Sequence, residues 1–205
     1  MRELLVATTN PGKAREFRQM LGEERFAWLD PISAGVVEVE ETGSTFRENA
    51  CIKASAYAVH AGKWTIADDS GLEVDALGGE PGVFSARWAA MNGAGDGDAA
   101  NNALLLHRVE SISDPLRGAR FVCCLALADP AGRIAMTSMG TVQGRILREP
   151  RGCNGFGYDP LFFIDSLGKT TAELPPEQKH RISHRGTALR RLRELMDRCF
   201  ATRAG

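Results

Sequence analysis

Residues Trp64 to Gly71 read Trp-Thr-Ile-Ala-Asp-Asp-Ser-Gly, an apolar run that stops at two adjacent carboxylates, a hydroxyl and a glycine. Such a run predicts a strand. A strand that ends in acids at a sharp turn presents them at a sheet edge, where open α/β sheets keep their ligands. Two neighbouring carboxylates also repel each other, and a metal cation relieves that repulsion. The plainer alternative is an Asp-rich turn whose acids cap the next element. The stretch by itself leaves both readings open.

The 205 residues suit a single α/β domain, 1–205, with room for two lobes. Lys and Arg total 25 against 26 Asp and Glu, a net charge of −1, which argues against a general nucleic-acid binder. Cys51, Cys123, Cys124, Cys153 and Cys199 are odd in number and form no C-x-x-C pair. That pattern points to a reducing compartment rather than a disulfide framework or a zinc site. The apolar run Leu4-Leu5-Val6-Ala7 is too short for a signal-peptide core, and no segment is long enough to span a bilayer. A cytoplasmic protein without a membrane partner is expected.

Glu3 to Thr8 predicts a strand, and Asn10-Pro11 opens a helix to about Leu21 with Ala14, Phe17, Met20 and Leu21 on one side. Phe26 to Ile32 predicts a second strand. Val36 to Glu41 alternates apolar with acidic residues. Thr45 and Glu48 match a capping box before a helix to about Ala61 that buries Phe46, Ala50, Ala54, Tyr57 and Ala58. Asp98 caps a helix to about Val109. Strands follow at Arg120 to Ala128, Ile134 to Leu147 and Leu161 to Ile164. A terminal helix opens at Ser183 or His184, with Leu189, Leu192, Met196 and Cys199 as its apolar stripe. Early alternation of strands and helices with later clustering of strands predicts an α/β fold with a mixed sheet.

Five groups of residues could carry chemistry. Thr8-Thr9-Asn10-Pro11-Gly12-Lys13 brings free backbone N–H groups, two hydroxyls, an amide and a lysine to one helix start, a physically sensible phosphate cradle without Walker A spacing. A capped helix with a surface lysine explains the same residues. Glu40 and Glu41 precede a turn, as Asp68 and Asp69 do, and oxygen ligands from two such elements suit a hard cation such as Mg²⁺. Asn49 and Lys53, four apart on the next helix, share a face. Phe156-Gly157-Tyr158-Asp159 sets aromatics between glycines, suited either to stacking on a nucleobase or to plugging the core. Lys179 and Ser183-His184-Arg185-Gly186 form a compact donor cluster.

Together these residues resemble the non-canonical purine nucleoside triphosphate pyrophosphatases, also called inosine or xanthosine triphosphate pyrophosphatases. The resemblance rests on Ala7 to Lys13, Glu41-Thr42-Gly43, Glu48-Asn49-Ala50, Lys53-Ala54 and Ala67 to Leu72. It continues through Val74 to Gly79, Pro81-Gly82, Ser85-Ala86-Arg87, Gly155 to Pro160, Ala172-Glu173-Leu174, Lys179 and Ile182 to Gly186. The groups stand in family order over nearly the whole chain. Thr9 is a departure, since many relatives carry glycine there.

The resemblance implies a long mixed β-sheet flanked by helices, in two lobes around a central substrate cleft. It implies a homodimer that uses Mg²⁺ to hydrolyse ITP, dITP and XTP to the monophosphate and pyrophosphate. Asp69 is then the general base and a metal ligand, with Glu41 the second metal carboxylate and Glu40 the fallback, since strand alternation aims only one of them inward. Asp68 plays a supporting part. Lys13, Lys53 and Arg87 neutralise the triphosphate, and Asn10 with its loop positions it. Phe156 stacks on the base, and Lys179 and Arg185 donate to the 6-oxo group. Ser70, Gly157, Tyr158, Asp159 and His184 complete the substrate contacts. Two other readings remain: a pyrophosphatase for other modified nucleotides, and a non-catalytic nucleotide- or RNA-binding protein.

Overall fold

Four consecutive buried apolar residues, Leu4 to Ala7, force the first strand into the interior. In this computed structural model, which describes residues 2–35 and 39–201, that strand is β1 (Arg2–Ala7). The helix α1 (Pro11–Leu21) follows. Asn10 Oδ1 caps it by accepting from the N–H groups of Gly12 and Lys13 at 2.9 and 3.1 Å. Strand β2 (Phe26–Leu29) is shorter than the sequence suggests. The expected alternating segment from Val36 to Glu41 falls partly on 36–38, outside the described residues, and residues 39–41 form no regular element.

Helix α2 (Phe46–Ala61) buries Phe46, Ala50, Ala54, Tyr57 and Ala58, and Asn49 with them. Thr45 Oγ1 accepts from Glu48 N at 3.1 Å, but the Glu48 carboxylate reaches Ser44 N and Oγ rather than the cap's own N–H. Strand β3 (Thr65–Val74) is ten residues long and corrects the expected turn. Asp68, Asp69, Ser70 and Gly71 lie inside it, and the chain turns only at Asp75. Alternation within a strand sends consecutive side chains to opposite faces, so each carboxylate can find its own surroundings.

The rest of the chain supplies α3 (Trp88–Met91), α4 (Gly97–Arg108), β4 (Gly118–Ala128), β5 (Ile134–Ile146), β6 (Phe162–Ile164), β7 (Lys169–Thr170), α5 (Pro176–Ile182) and α6 (His184–Ala201). The cap of α4 is Asp96, not Asp98. The strands form one seven-stranded sheet in the order β2-β1-β3-β4-β5-β6-β7. β1 pairs in parallel with β2 and β3, while β6 is antiparallel to β5 and β7. The sheet is therefore mixed, as the pattern of elements suggests.

Two compact units share these strands. Unit 1 comprises the residues up to Asp69, Cys123–Gly140 and those from His184 onward. Its core includes Val6, Phe17, Ile66, Leu125, Leu189 and Leu192. The side chain of Cys199, expected in the α6 stripe, lies outside the described residues. Unit 2 comprises Ser70–Val122 and Thr141–Ser183, with a core that includes Leu72, Trp88, Leu105, Phe121, Tyr158 and Phe162.

Within unit 1, the start of α6 lies hard against β5 at Gly140. A Cβ there would meet the His184 carbonyl oxygen and come within 2.7 Å of Ala188 N. Both are backbone atoms, which cannot swing aside. Gly140→Ala is therefore expected to destabilise the protein by about 1–3 kcal/mol, as overpacking does. Urea denaturation measures this, and an unchanged midpoint would contradict the close approach.

Candidate active site

In unit 1, β1 delivers the chain into the Thr8–Lys13 loop. Thr8 Oγ1 accepts from Asn10 N at 3.2 Å, and Thr9, Asn10 and Pro11 are exposed. Asn10 itself satisfies the N–H groups of Gly12 and Lys13, so two of the donors the sequence leaves for phosphate are used inside the loop. The exposed Thr9 hydroxyl, the half-buried Thr8 hydroxyl and the Lys13 ammonium are the loop's means of meeting an anion. Lys13 forms an ion pair with Asp68 Oδ1.

Asp68 is 2 % exposed and sits in a buried ionic cluster. Its Oδ2 accepts from Arg185 Nε at 3.1 Å and from the Cys123 thiol at 3.1 Å. Arg185 turns Nη1 to Glu16 Oε2 at 2.6 Å. Burial opposes the charge of Asp68, but Arg185, Lys13 and Lys53 outweigh it and hold the carboxyl well below its ordinary range. The Arg185 guanidinium, expected at the base, is engaged by two carboxylates within unit 1. Glu16 was not singled out by the sequence. Its only local signal is a position one turn after Lys13 on α1.

Asp69 has the opposite environment. It is 5 % exposed, and its Oδ2 is buried with no hydrogen-bond partner among the described residues. Burial first, and then the like charge of Glu41, push its carboxyl up to about 6, against the pull of Lys53 and Lys13. The Asn49 amide also favours the charged form. Asn49 Oδ1 accepts from Gly43 N at 2.7 Å, while its buried Nδ2 has no partner at bonding distance. Glu41 is half-buried and paired with Lys53, whereas Glu40 is exposed. Burial pulls the Lys53 ammonium down, but Glu41, Asp68 and Asp69 together raise it, so it stays charged. On β4 the cysteines follow the same split. Cys123 bonds Asp68, and the Cys124 thiol is pushed up to about 11 by burial and then by Asp69.

A buried carboxylate oxygen without a donor, beside a second carboxylate, fits a hard cation. Among the described residues no group of three or more His, Cys, Asp or Glu side chains could hold a metal. Mg²⁺ needs no such cage, since it is commonly held by one or two carboxylates, substrate phosphates and water.

In unit 2, Ser70 follows Asp69 on β3 and is half-buried. Phe156 is half-buried, with Lys179 Nζ 4.9 Å from its ring centroid. Lys179 is 5 % exposed and binds Asp159 Oδ2 at 2.6 Å. Asp159 also accepts from Phe156 N at 2.9 Å and Thr171 Oγ1 at 2.7 Å. Asp159 thus braces the loop from within. Tyr158 is likewise engaged inside the unit. It is buried, its hydroxyl donates to the Ser85 carbonyl at 3.0 Å, and burial raises its phenol. Gly157 has φ +61°, a conformation glycine adopts freely. Its N–H goes to Asp98 Oδ2 at 2.6 Å, and its carbonyl accepts from Asn102 Nδ2 at 2.9 Å. Arg87, expected on the triphosphate, lies in unit 2 with its guanidinium over Phe84, 5.5 Å from the ring centroid. His184 opens α6 in unit 1 and is buried.

Known proteins are similar to this chain over almost its full length. A dITP/XTP pyrophosphatase of Exiguobacterium sibiricum is 51 % identical over 193 residues, 93 % of this chain and 94 % of the relative. The dITP/XTP pyrophosphatase of Bacillus subtilis is 46 % identical over 198 residues, 96 % and 98 % of the two chains. Among solved structures, a HAM1 protein from Coxiella burnetii superposes with a TM-score of 0.87 at 40 % identity, covering 97 % of this chain and all of that one. A nucleoside-triphosphatase / dITP/XTP pyrophosphatase from Mycobacterium abscessus gives 0.74 at 46 % identity, covering 93 % and 98 %. The model of the Ham1 family matches residues 4–195. The chain belongs to the Ham1 family.

Proposed function

We propose that this protein hydrolyses non-canonical purine nucleoside triphosphates, ITP, dITP and XTP, to the monophosphate and pyrophosphate. The observation that carries the reading is the buried, partnerless Oδ2 of Asp69 beside Glu41, with the Lys13 and Lys53 ammonium groups acting on the same carboxylate. Asp69 takes the proton of the attacking water. The water oxygen bonds the α-phosphorus, and the bond to the bridging oxygen of pyrophosphate breaks. Lys13 and Lys53 balance the charge of the triphosphate, and the Thr8–Lys13 loop orients it. Asp69 and Glu41 would hold Mg²⁺, which when bound supplies charge neutralisation and a lowered pKa for water.

Phe156 is read as the base platform. Phe156 offers a ring for stacking, and Lys179 has donors only, which suit the 6-oxo group of hypoxanthine and xanthine and leave an adenine amino group unpaired. A homodimer acting in the cytoplasm, without a nucleic-acid partner, belongs to the same reading. The near-neutral charge supports the absence of a nucleic-acid partner, and four free cysteines among the described residues support a reducing compartment.

Pyrophosphate release from ITP, XTP, GTP and ATP, with and without Mg²⁺, tests the proposal. Mg²⁺-dependent release from ITP and XTP at roughly 100-fold or more the kcat/KM for ATP is expected from a site built around hydrogen bonds. A preference for ATP contradicts the donor argument, and nucleotide binding without release contradicts catalysis.

A further inference from the structure

The loop carrying Phe156 is gripped from outside as well as from within. Asp98 and Asn102 stand four apart on α4, so one helix face presents both. Asp98 accepts from the N–H of Gly157 and Asn102 donates to its carbonyl, so two side chains bind both backbone polar groups of a single residue. The bond from Gly157 N to the carboxylate is short and charge-assisted, among the stronger kinds.

Asp98 stands in the first turn of α4, where a carboxylate favours the helix, but helix stability does not account for Asn102 or for the direction of the Asp98 bond to Gly157. The α4 cap is Asp96, whose Oδ1 takes Gly97 N at 2.8 Å. Asn102 Oδ1 is buried with no partner among the described residues, which is unfavourable for the helix. Turning the amide over would set that oxygen against the Gly157 carbonyl, so Gly157 alone dictates its orientation. Gly157 follows Phe156 directly and has no side chain to anchor it. Its peptide groups therefore hold one side of the Phe156 backbone, as Asp159 holds the other at Phe156 N, and α4 fixes them.

We propose that Asp98 and Asn102 are positioning residues for base selectivity, fixing the Gly157 backbone and through it the ring of Phe156 on which the purine stacks. The proposal rests on the reading of Phe156 as the base platform.

The test compares wild type with Asp98→Ala, Asp98→Asn and Asn102→Ala, measuring kcat and KM for ITP and ATP with Mg²⁺, and the thermal midpoint of each protein. Asp98→Ala is expected to raise KM for ITP about tenfold, the scale of a lost hydrogen bond to a charged group. The loss should fall on KM rather than kcat, and the ITP-to-ATP ratio of kcat/KM should shrink by a similar factor. Asp98→Asn should recover most of it, because its amide oxygen can still accept from Gly157 N. Asn102→Ala should raise KM for ITP in the same sense, and carries the test if Asp98→Ala does not fold. A lower thermal midpoint with wild-type KM and selectivity would mark a purely structural pair and overturn the proposal. Wild type that fails to distinguish ITP from ATP would instead remove the base-platform reading itself, and the proposal with it.

Discussion

Asp69→Asn is expected to cut pyrophosphate release from ITP by roughly 10²–10⁴-fold, the scale of a removed general acid or base, while nucleotide binding stays measurable. The substitution keeps shape and polarity and removes only the capacity to take a proton. Steady-state kinetics beside equilibrium binding of ITP separate the two effects, and near-normal turnover would sink the assignment of Asp69. A second signature comes from pH. The Asp69 carboxyl is raised to about 6 from an ordinary 3.8, so the folded state holds this proton more tightly than the unfolded chain does. Its favourable contribution is complete below about pH 4 and disappears as pH rises through 6. At pH 8, without divalent cation, the ionised wild-type carboxylate is therefore a liability that Asn lacks. Asp69→Asn should then be the more stable protein, by up to about 3 kcal/mol at 1.36 kcal/mol per unit. The gap should close as denaturation is repeated down to pH 4. A variant that loses activity yet gains stability is hard to explain by general damage to the fold.

Arg185→Met is expected to lower stability by roughly 3–5 kcal/mol, the usual consequence of stranding buried charge. Arg185 is 2 % exposed and serves both Asp68 and Glu16. Lys13 still faces Asp68 in the variant, so Glu16 bears more of the loss, and adding Glu16→Gln should return part of the stability. The pH dependence runs opposite to that of Asp69. Asp68 is held well below its ordinary range, so its contribution is present above about pH 4 and lost as pH falls through the lower folded value. The difference between wild type and Arg185→Met should shrink on acidification. A deficit under 1 kcal/mol at pH 7 by chemical denaturation would show that the cluster is not tightly coupled.

Local signals were legible where their partners are local. Asn10-Pro11 and Thr45 start helices where the sequence says, because a cap and its target lie within three residues. The apolar stripes of α2 and α6 follow from the helical period alone. The acid pair was misplaced at a turn because what permits it inside a strand comes from far away. Arg185 is 117 residues from Asp68, and Cys123 is 55. Asp96 and Asp98 are equally good caps by type, and only the Gly157 backbone, 59 residues from Asp98, decides between them. Helix α5 was missed because Pro176 to Ile182 has little apolar period and only Lys179 is buried. Of the candidate site, residue types were readable, but the division of donors was not. Which cation meets which carboxylate is a tertiary fact.

The course of β3 also bears on how such a chain can change over time. Because Asp69 and Ser70 are consecutive positions of one continuous strand, the last of unit 1 and the first of unit 2, no loop separates them to absorb an added or missing residue. One insertion between them would turn every side chain beyond it to the other face of the sheet. Leu72 and Val74 would leave their core, and polar neighbours would enter it. Length variation should therefore be purged from this stretch and tolerated in surface connections such as residues 92–96. The spacing from Asp68 to Val74 behaves as a fixed ruler.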